Sequence, residues 1–147
     1  MPLQSTIERA HRDERQGKSP STQAGEFVRE EIHHIRQGEH GARSPEQAIA
    51  IGLSMARRAG VKLPPPKLGK TSAETRRKAT RDLQAGRRHE KPSPKRSRAR
   101  IGALRRESTS AASPSALSQH AKKAARRRGP ADLSRAAKQA ARTRRLH

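Results

Sequence analysis

The sequence predicts a mostly α-helical protein: short helices around a central helical hairpin, an extended proline-rich linker, and a basic, partly disordered C-terminal tail. Three observations predict it. Apolar residues recur at helical spacing in two neighbouring stretches, Phe27, Val28, Ile32 and Ile35, then Ile49, Leu53 and Ala56. Serine, threonine, proline and glycine stand where helices start and stop. Charge is segregated: residues 1–60 carry nine basic and eight acidic side chains, residues 61–147 twenty-six and five. Such asymmetry marks a near-neutral module joined to a polycation.

The first element, residues 1–18, reads as a helix capped by Ser5, with Glu8 in the capping-box position and Gly17 as the stop. Ile7 and Ala10 are nearly all of its apolar side, so it is expected to lie on a surface or fray. The second helix opens at Ser21 or Thr22, after Pro20, and ends at Gly38. The third has a clear start in SPEQ: Ser44 caps, Pro45 takes the first helical position, and Gln47 sits at the capping-box position. Gly60 ends it, and Gly52 lets another backbone approach closely. Residues 22–61 thus form a helical hairpin with a core of Phe27, Val28, Ile32, Ile35, Ile49, Leu53 and Ala56. That hairpin is below the size that usually folds unaided, so the first helix or a second copy is expected to support it.

Residues 62–70 follow as an extended linker stiffened by the prolines of VKLPPPKLGK. A basic helix is expected over 71–86, opened by Thr71 with Glu74 as its box partner and closed by Gly86. Residues 87–112 read as a disordered basic linker with a turn or two of helix at IGALRRE. Residues 113–147 hold tandem basic helical repeats, started by Ser113 and Pro114 and broken by Gly129 and Pro130.

Composition narrows the function. Among 147 residues, 35 are Lys or Arg and 13 Asp or Glu, a formal net charge of +22, and only 29% are hydrophobic. So polar a chain buries too little apolar surface to order all of it unaided. There is no cysteine, which excludes disulfides, thiolate metal sites and cysteine nucleophiles. No apolar run approaches a membrane span, and the N-terminus has no hydrophobic signal core, so a cytoplasmic protein is expected. No set of base, nucleophile and oxyanion donors stands out, and no enzyme is expected.

The tail repeats itself. LSQHAKKAARRR begins at Leu117, and LSRAAKQAARTR begins sixteen residues later at Leu133. On a helical wheel Ala121 and Ala124 fall within about 40 degrees of Leu117, and Lys122 and Arg126 at roughly 140 and 180 degrees. Leu133, Ala137, Ala140, Lys138 and Arg142 repeat that arrangement. Each unit has a stripe too narrow for a core and a basic face whose like charges weaken an isolated helix. Phosphates would remove that repulsion. The plain alternative is a solvated basic tail, but a polycation this dense attracts polyphosphates whatever its shape.

Other patterns weigh less. SPKR, Ser93 to Arg96, resembles the minor-groove motif of linker-histone tails, although a basic linker accounts for it as well. Phe27 is the only aromatic residue, which argues against base stacking. The connection between the second and third helices is longer than a helix-turn-helix allows. Glu30, Glu31, His33, His34 and His40 invite a metal reading, but the usual ligand spacings are missing and an exposed polar helix face accounts for them; no metal or other cofactor is expected. GKT at Gly69 to Thr71 lacks the earlier glycine of a phosphate loop, since Pro64 stands there.

HGARSPEQAIAIGLSMARRAGVKLPPP, residues 40–66, resembles a family of small basic bacterial proteins sharing a QAIAIGLS-x-AR-x-AG core, and TQAGEFVREEIHHIRQG is similar too. Such proteins carry labels such as plasmid stabilisation protein or DNA-binding protein, and their C-termini look like linker-histone tails. The resemblance implies a histone-like role and, through it, plasmid maintenance. Met55 departs from it, standing where a charged residue is expected and widening the apolar face.

The expectation is a nucleoid-associated, non-enzymatic protein that binds duplex DNA through phosphates with little sequence preference. The expected carriers are Lys122, Lys123, Arg126, Arg127, Arg128, Arg135, Lys138, Arg142, Arg144 and Arg145, assisted by Arg76, Arg77, Lys78, Arg81, Lys95 and Arg96. Two clamps on one chain would raise avidity through effective concentration. The alternatives are binding to structured or ribosomal RNA, which the excess of Arg over Lys suits, and an adaptor whose hairpin binds a protein partner or a second copy.

Overall fold

Serine followed by proline is the commonest helix start in this chain. In the computed structural model, which describes residues 2–146, seven α-helices form: α1 (Gln4–Arg15), α2 (Pro20–Arg36), α3 (Pro45–Arg58), α4 (Ala73–Arg87), α5 (Pro94–Arg105), α6 (Pro114–Arg128) and α7 (Pro130–Leu146). A short 3-10 turn lies at Ser110–Ala112, and the described residues contain no strand. The fold is mostly α, as the periodicity predicts. Ser19, Ser44, Ser93 and Ser113 each accept the N–H three residues on, with proline at the first helical position. The hydroxyl fills one orphan donor, and proline has no donor to orphan.

That rule corrects several expected ends. Ser19 caps α2 in place of Ser21 or Thr22, and Ser72 caps α4 in place of Thr71. α1 has Leu3 at its cap position with no side-chain cap, and Ser5 lies inside the helix. Its first donor is met from another helix: Leu3 N–H and the Thr6 hydroxyl both donate to Glu30 Oε1, at 2.5 and 3.3 Å. Arg9 Nε also reaches Glu26 Oε2 at 2.8 Å. The thin apolar side therefore does not leave α1 frayed. Its small buried residues Thr6 and Ala10 let it lie close to α2.

The chain divides into two compact units, residues 1–112 and 113–147. In the first, α2 packs on α1 and α3, and α3 packs on α4. One apolar cluster holds Ala10, Ala24, Phe27, Ala56 and Val61, with Leu53 and Met55 at its margin. A second holds Ile35, Ala42, Ala48, Ala111 and Ala112, with Ile32 at its margin. Of the expected hairpin core, Phe27, Ile35 and Ala56 are fully buried, and Val28, Ile32, Ile49 and Leu53 half-buried. The deep row of α3 is instead Ala48, Gly52 and Ala56, small residues that bring helices together. A Cβ at Gly52 would stand 2.6 Å from Val28 Cα, which is the close backbone approach expected there.

Gly86 does not close α4. It lies within the helix, where a Cβ would stand 1.9 Å from the Arg57 carbonyl oxygen. Two side chains set the linker: Arg57 donates to the carbonyls of Leu63 and Pro64, both at 3.1 Å, and Arg76 to that of Pro66 at 2.8 Å. Asp82 ties α4 to α3, accepting from Ser54 at 2.8 Å and Arg58 at 2.7 Å.

Residues 87–112, expected as a disordered linker, instead contain α5 and return to the core. Leu104, Ala111 and Ala112 are buried, and Arg36 Nε donates to the Ala112 carbonyl at 2.8 Å. Alanine in a low-complexity string gives little periodic signal, yet a small cavity between helices suits it well.

The second unit is α6 and α7, which contact each other across the Gly129–Pro130 break. Neither helix contains a buried residue among those described. Leu117 and Ala124 are half-buried, whereas Ala121, Leu133, Ala137 and Ala140 are exposed. The expected stripe therefore shelters only part of its length.

Candidate nucleic-acid interface

Residues 113–147 carry ten Lys or Arg side chains and one carboxylate, Asp132. Lys122, Lys123, Arg126, Arg127 and Arg128 are exposed on α6, and Arg135, Lys138, Arg142, Arg144 and Arg145 on α7. The lone Asp132 is not neutral scenery. It accepts from Arg128 Nε at 2.6 Å and lies 3.4 Å from Arg135. Hydrogen bonding from Arg128 holds its carboxyl below the usual carboxylate range. Arg128 and Arg135 are thus partly engaged, while Lys122, Lys123, Arg126, Arg127, Lys138 and Arg142 have no carboxylate in ion-pairing distance among the described residues. On the wheel, Arg128 sits about 20 degrees from Leu117, across the helix from Lys122 and Arg126. The pairing was legible in RRRGPADLSR, where Asp132 follows Arg128 by four residues and precedes Arg135 by three.

In the first unit Arg77 and Arg81 are exposed on α4, and Lys78 pairs with Glu74 at 3.3 Å. Arg76 is half-buried and committed to Pro66, so it is a linker brace. Lys95 and Arg96 are exposed in the first turn of α5. SPKR is accordingly a helix start capped by Ser93 and not a free Ser-Pro turn. Two cations there oppose the helix dipole, and an anion would relieve that.

The histidine and glutamate cluster departs furthest from expectation. It is not an exposed polar face: Glu30, Glu31 and His40 are 5%, 3% and 6% exposed. Glu31, His34 and His40 converge, one ligand-type atom from each lying within 4.8 Å of the others. Burial pushes the Glu31 carboxyl above its ordinary range, and nearby His40 and His34 oppose that shift. His33 points to solvent. Spacing along the chain could not reveal this, because His40 arrives from beyond the helix end.

Among the described residues no helix is long and apolar enough to cross a membrane. Residues 19–68 match the model of a family of unknown function, DUF6496. The stretch begins at the cap of α2 and runs through α3 and the proline linker. No curated protein matches the chain, and no solved structure does.

Proposed function

We propose that this chain is a non-enzymatic protein that binds duplex DNA through its phosphates, with little sequence preference, and acts as a nucleoid-associated factor. The observation that carries the reading is the second unit: ten cations, one carboxylate and two helices without a buried residue. Such helices gain little from packing and lose from charge repulsion, so polyanion contact is the strongest interaction open to them. Lys122, Lys123 and Arg126 on α6, and Lys138, Arg142 and Arg145 on α7, are the main clamps. Arg77, Arg81, Lys95 and Arg96 add weaker contacts. The adaptor reading has less support, because among the described residues the exposed large hydrophobics are Leu3, Leu68, Leu133 and Leu146, none of them on α2 or α3.

The test is binding to a random duplex across a salt series. With 6–10 phosphates engaged, affinity falls by about 10³–10⁵ between 50 and 200 mM salt. A chain ending at Ala112, which keeps the first unit whole, shows a shallower slope. Equal slopes, or stronger binding to ribosomal RNA in competition, would overturn the duplex reading.

A further inference from the structure

We infer that Glu31, His34 and His40 form a binding site for a divalent transition-metal ion of the zinc class, which clips the end of α2 to the loop after it. The inference is independent of DNA binding.

The first argument is the pairing of His40 with Glu31. His40 Nε2 lies 2.8 Å from Glu31 Oε1. Both side chains are about nineteen-twentieths buried, at 5% and 4% exposure. The ring's other nitrogen, Nδ1, lies 2.9 Å from the Gly41 carbonyl. A carbonyl only accepts, so Nδ1 carries the proton. Nε2 is thereby turned toward the buried Glu31 carboxylate. Glu31 Oε1 has no hydrogen-bond partner despite its near neighbour. A buried ring nitrogen and a carboxylate oxygen at this distance call for a proton or a metal ion between them, and only a metal ion also draws in His34.

The second argument is the donor set. Glu31 and His34 stand three residues apart on α2, a spacing that places carboxylate and imidazole on one helix face. Glutamate with two histidines is a ligand set that suits zinc. With bonds of about 2.1 Å, tetrahedral ligand atoms stand about 3.4 Å apart. The present triangle has no side beyond 4.8 Å. His34, half-buried, closes it by a side-chain movement of about an ångström. Glu39 Oε2 stands 3.7 Å from His34 Nδ1. The hydrogen bond from His40 Nδ1 to a backbone carbonyl is the outer-shell contact that orients a ligating histidine.

The third argument is preorganisation. Gly38, at φ 78°, ends α2 with paired bonds from Gly38 N to Ile35 O and from Glu39 N to His34 O. That turn carries His40 back against Glu31. The next residues are then fastened: Gly41 N donates to Leu104 O at 2.9 Å and Ala42 N to Ser108 O at 3.0 Å. A Cβ at Gly41 would stand 2.1 Å from Glu107 O, so the loop is held where only glycine fits. Glu30 Oε2, buried without a partner beside Glu31, adds negative potential to this part of a strongly cationic chain.

The experiment uses the full chain, freed of metal with a chelator. Co²⁺ is titrated as the spectroscopic probe, and Zn²⁺ by calorimetry and thermal melting. One equivalent of Co²⁺ should give the intense visible bands of a four- or five-coordinate site, and one equivalent of Zn²⁺ should raise the Tm. His34→Ala, at the most accessible ligand, and Glu31→Gln should each weaken binding at least about 10-fold, the scale set by loss of even an outer-shell partner. His33→Ala should bind as the parent does, which separates the site from scattered surface histidines. The parent spectrum does not depend on any variant folding. Absence of the visible bands, or unchanged affinity in His34→Ala and Glu31→Gln, would overturn the assignment and leave a proton-sharing carboxylate–imidazole pair.

Discussion

Replacing both Lys122 and Arg126 with glutamine tests whether α6 meets DNA with one defined face. The two side chains stand about 40 degrees apart on the wheel and have no ion-pairing carboxylate among the described residues. Each phosphate contact contributes about 0.9 to the slope of log affinity against log salt, so the pair should lower its magnitude by about 1.8. At 100 mM salt that corresponds to roughly 60-fold weaker binding. Arg128→Gln removes the same charge from the opposite side of the helix, where Asp132 already engages it at 2.6 Å. Its effect on the slope should be well under about 0.9. Fluorescence anisotropy with a random duplex at four or five salt concentrations measures the parent, the double variant, its two single variants and Arg128→Gln. Equal slope changes for Arg128→Gln and for either Lys122→Gln or Arg126→Gln alone would refute a facial clamp and favour a featureless polycation.

The first unit yields three further tests. Phe27→Ala removes the one aromatic side chain from a cluster otherwise made largely of alanine, and urea melts followed by circular dichroism should show a loss of about 3–5 kcal/mol; a loss under about 1.5 kcal/mol would mean the core is not organised around it. Two glycines should respond with opposite signs: Gly25→Ala meets nothing within 4 Å and should stabilise by about 0.5–1 kcal/mol, whereas Gly86→Ala meets the Arg57 carbonyl and should destabilise by about 1–3 kcal/mol. A gain in both would remove the α3–α4 contact. Arg57→Met deletes the donors to Leu63 and Pro64, and cleavage at Lys62 and Lys67 by a lysine-specific protease should quicken about 10-fold or more, since bonds from a charged donor are worth about 1.5–3 kcal/mol.

These tests also mark what the sequence makes legible. Helices α2 and α3 could be read because Phe27, Val28, Ile32 and Ile35 in one and Ile49, Leu53 and Ala56 in the other recur at helical spacing, and Ser44–Pro45 caps without ambiguity. The return of residues 104–112 could not be, because Ala111 and Ala112 fill space left by Ile35, Ala42 and Ala48, and such volume matching has no period. Glycine was read correctly at Gly52 and wrongly at Gly86, for one reason. A glycine near an expected helix end looks like a stop, and only the partner helix reveals it as a contact. Arg76 is a similar case: counted as charge it belongs to the basic surface, but its guanidinium holds the Pro66 carbonyl of the extended segment, as that of Arg57 holds Pro64.

The family match and the charge map together separate the two proposals. Residues 19–68 contain Glu31, His34 and His40, whereas every cation proposed for DNA contact lies beyond Leu68. The metal clip would therefore belong to the part of the chain similar to other proteins, and the DNA clamps to a second compact unit outside it. The matched stretch closes its core only in part: Gly52 meets Val28 within it, but Glu30 reaches Leu3 and Thr6, and Ile35 packs with Ala111 and Ala112. Two of those three contacts come from outside the match. A metal at the α2 terminus would fix the turn on which residues 104–112 dock, since Gly41 and Ala42 follow His40 directly and bind Leu104 and Ser108. Chelation should then loosen residues 104–112 in hydrogen exchange while leaving the salt dependence of DNA binding by α6 and α7 unchanged. A change in both would mean that the two units act as one.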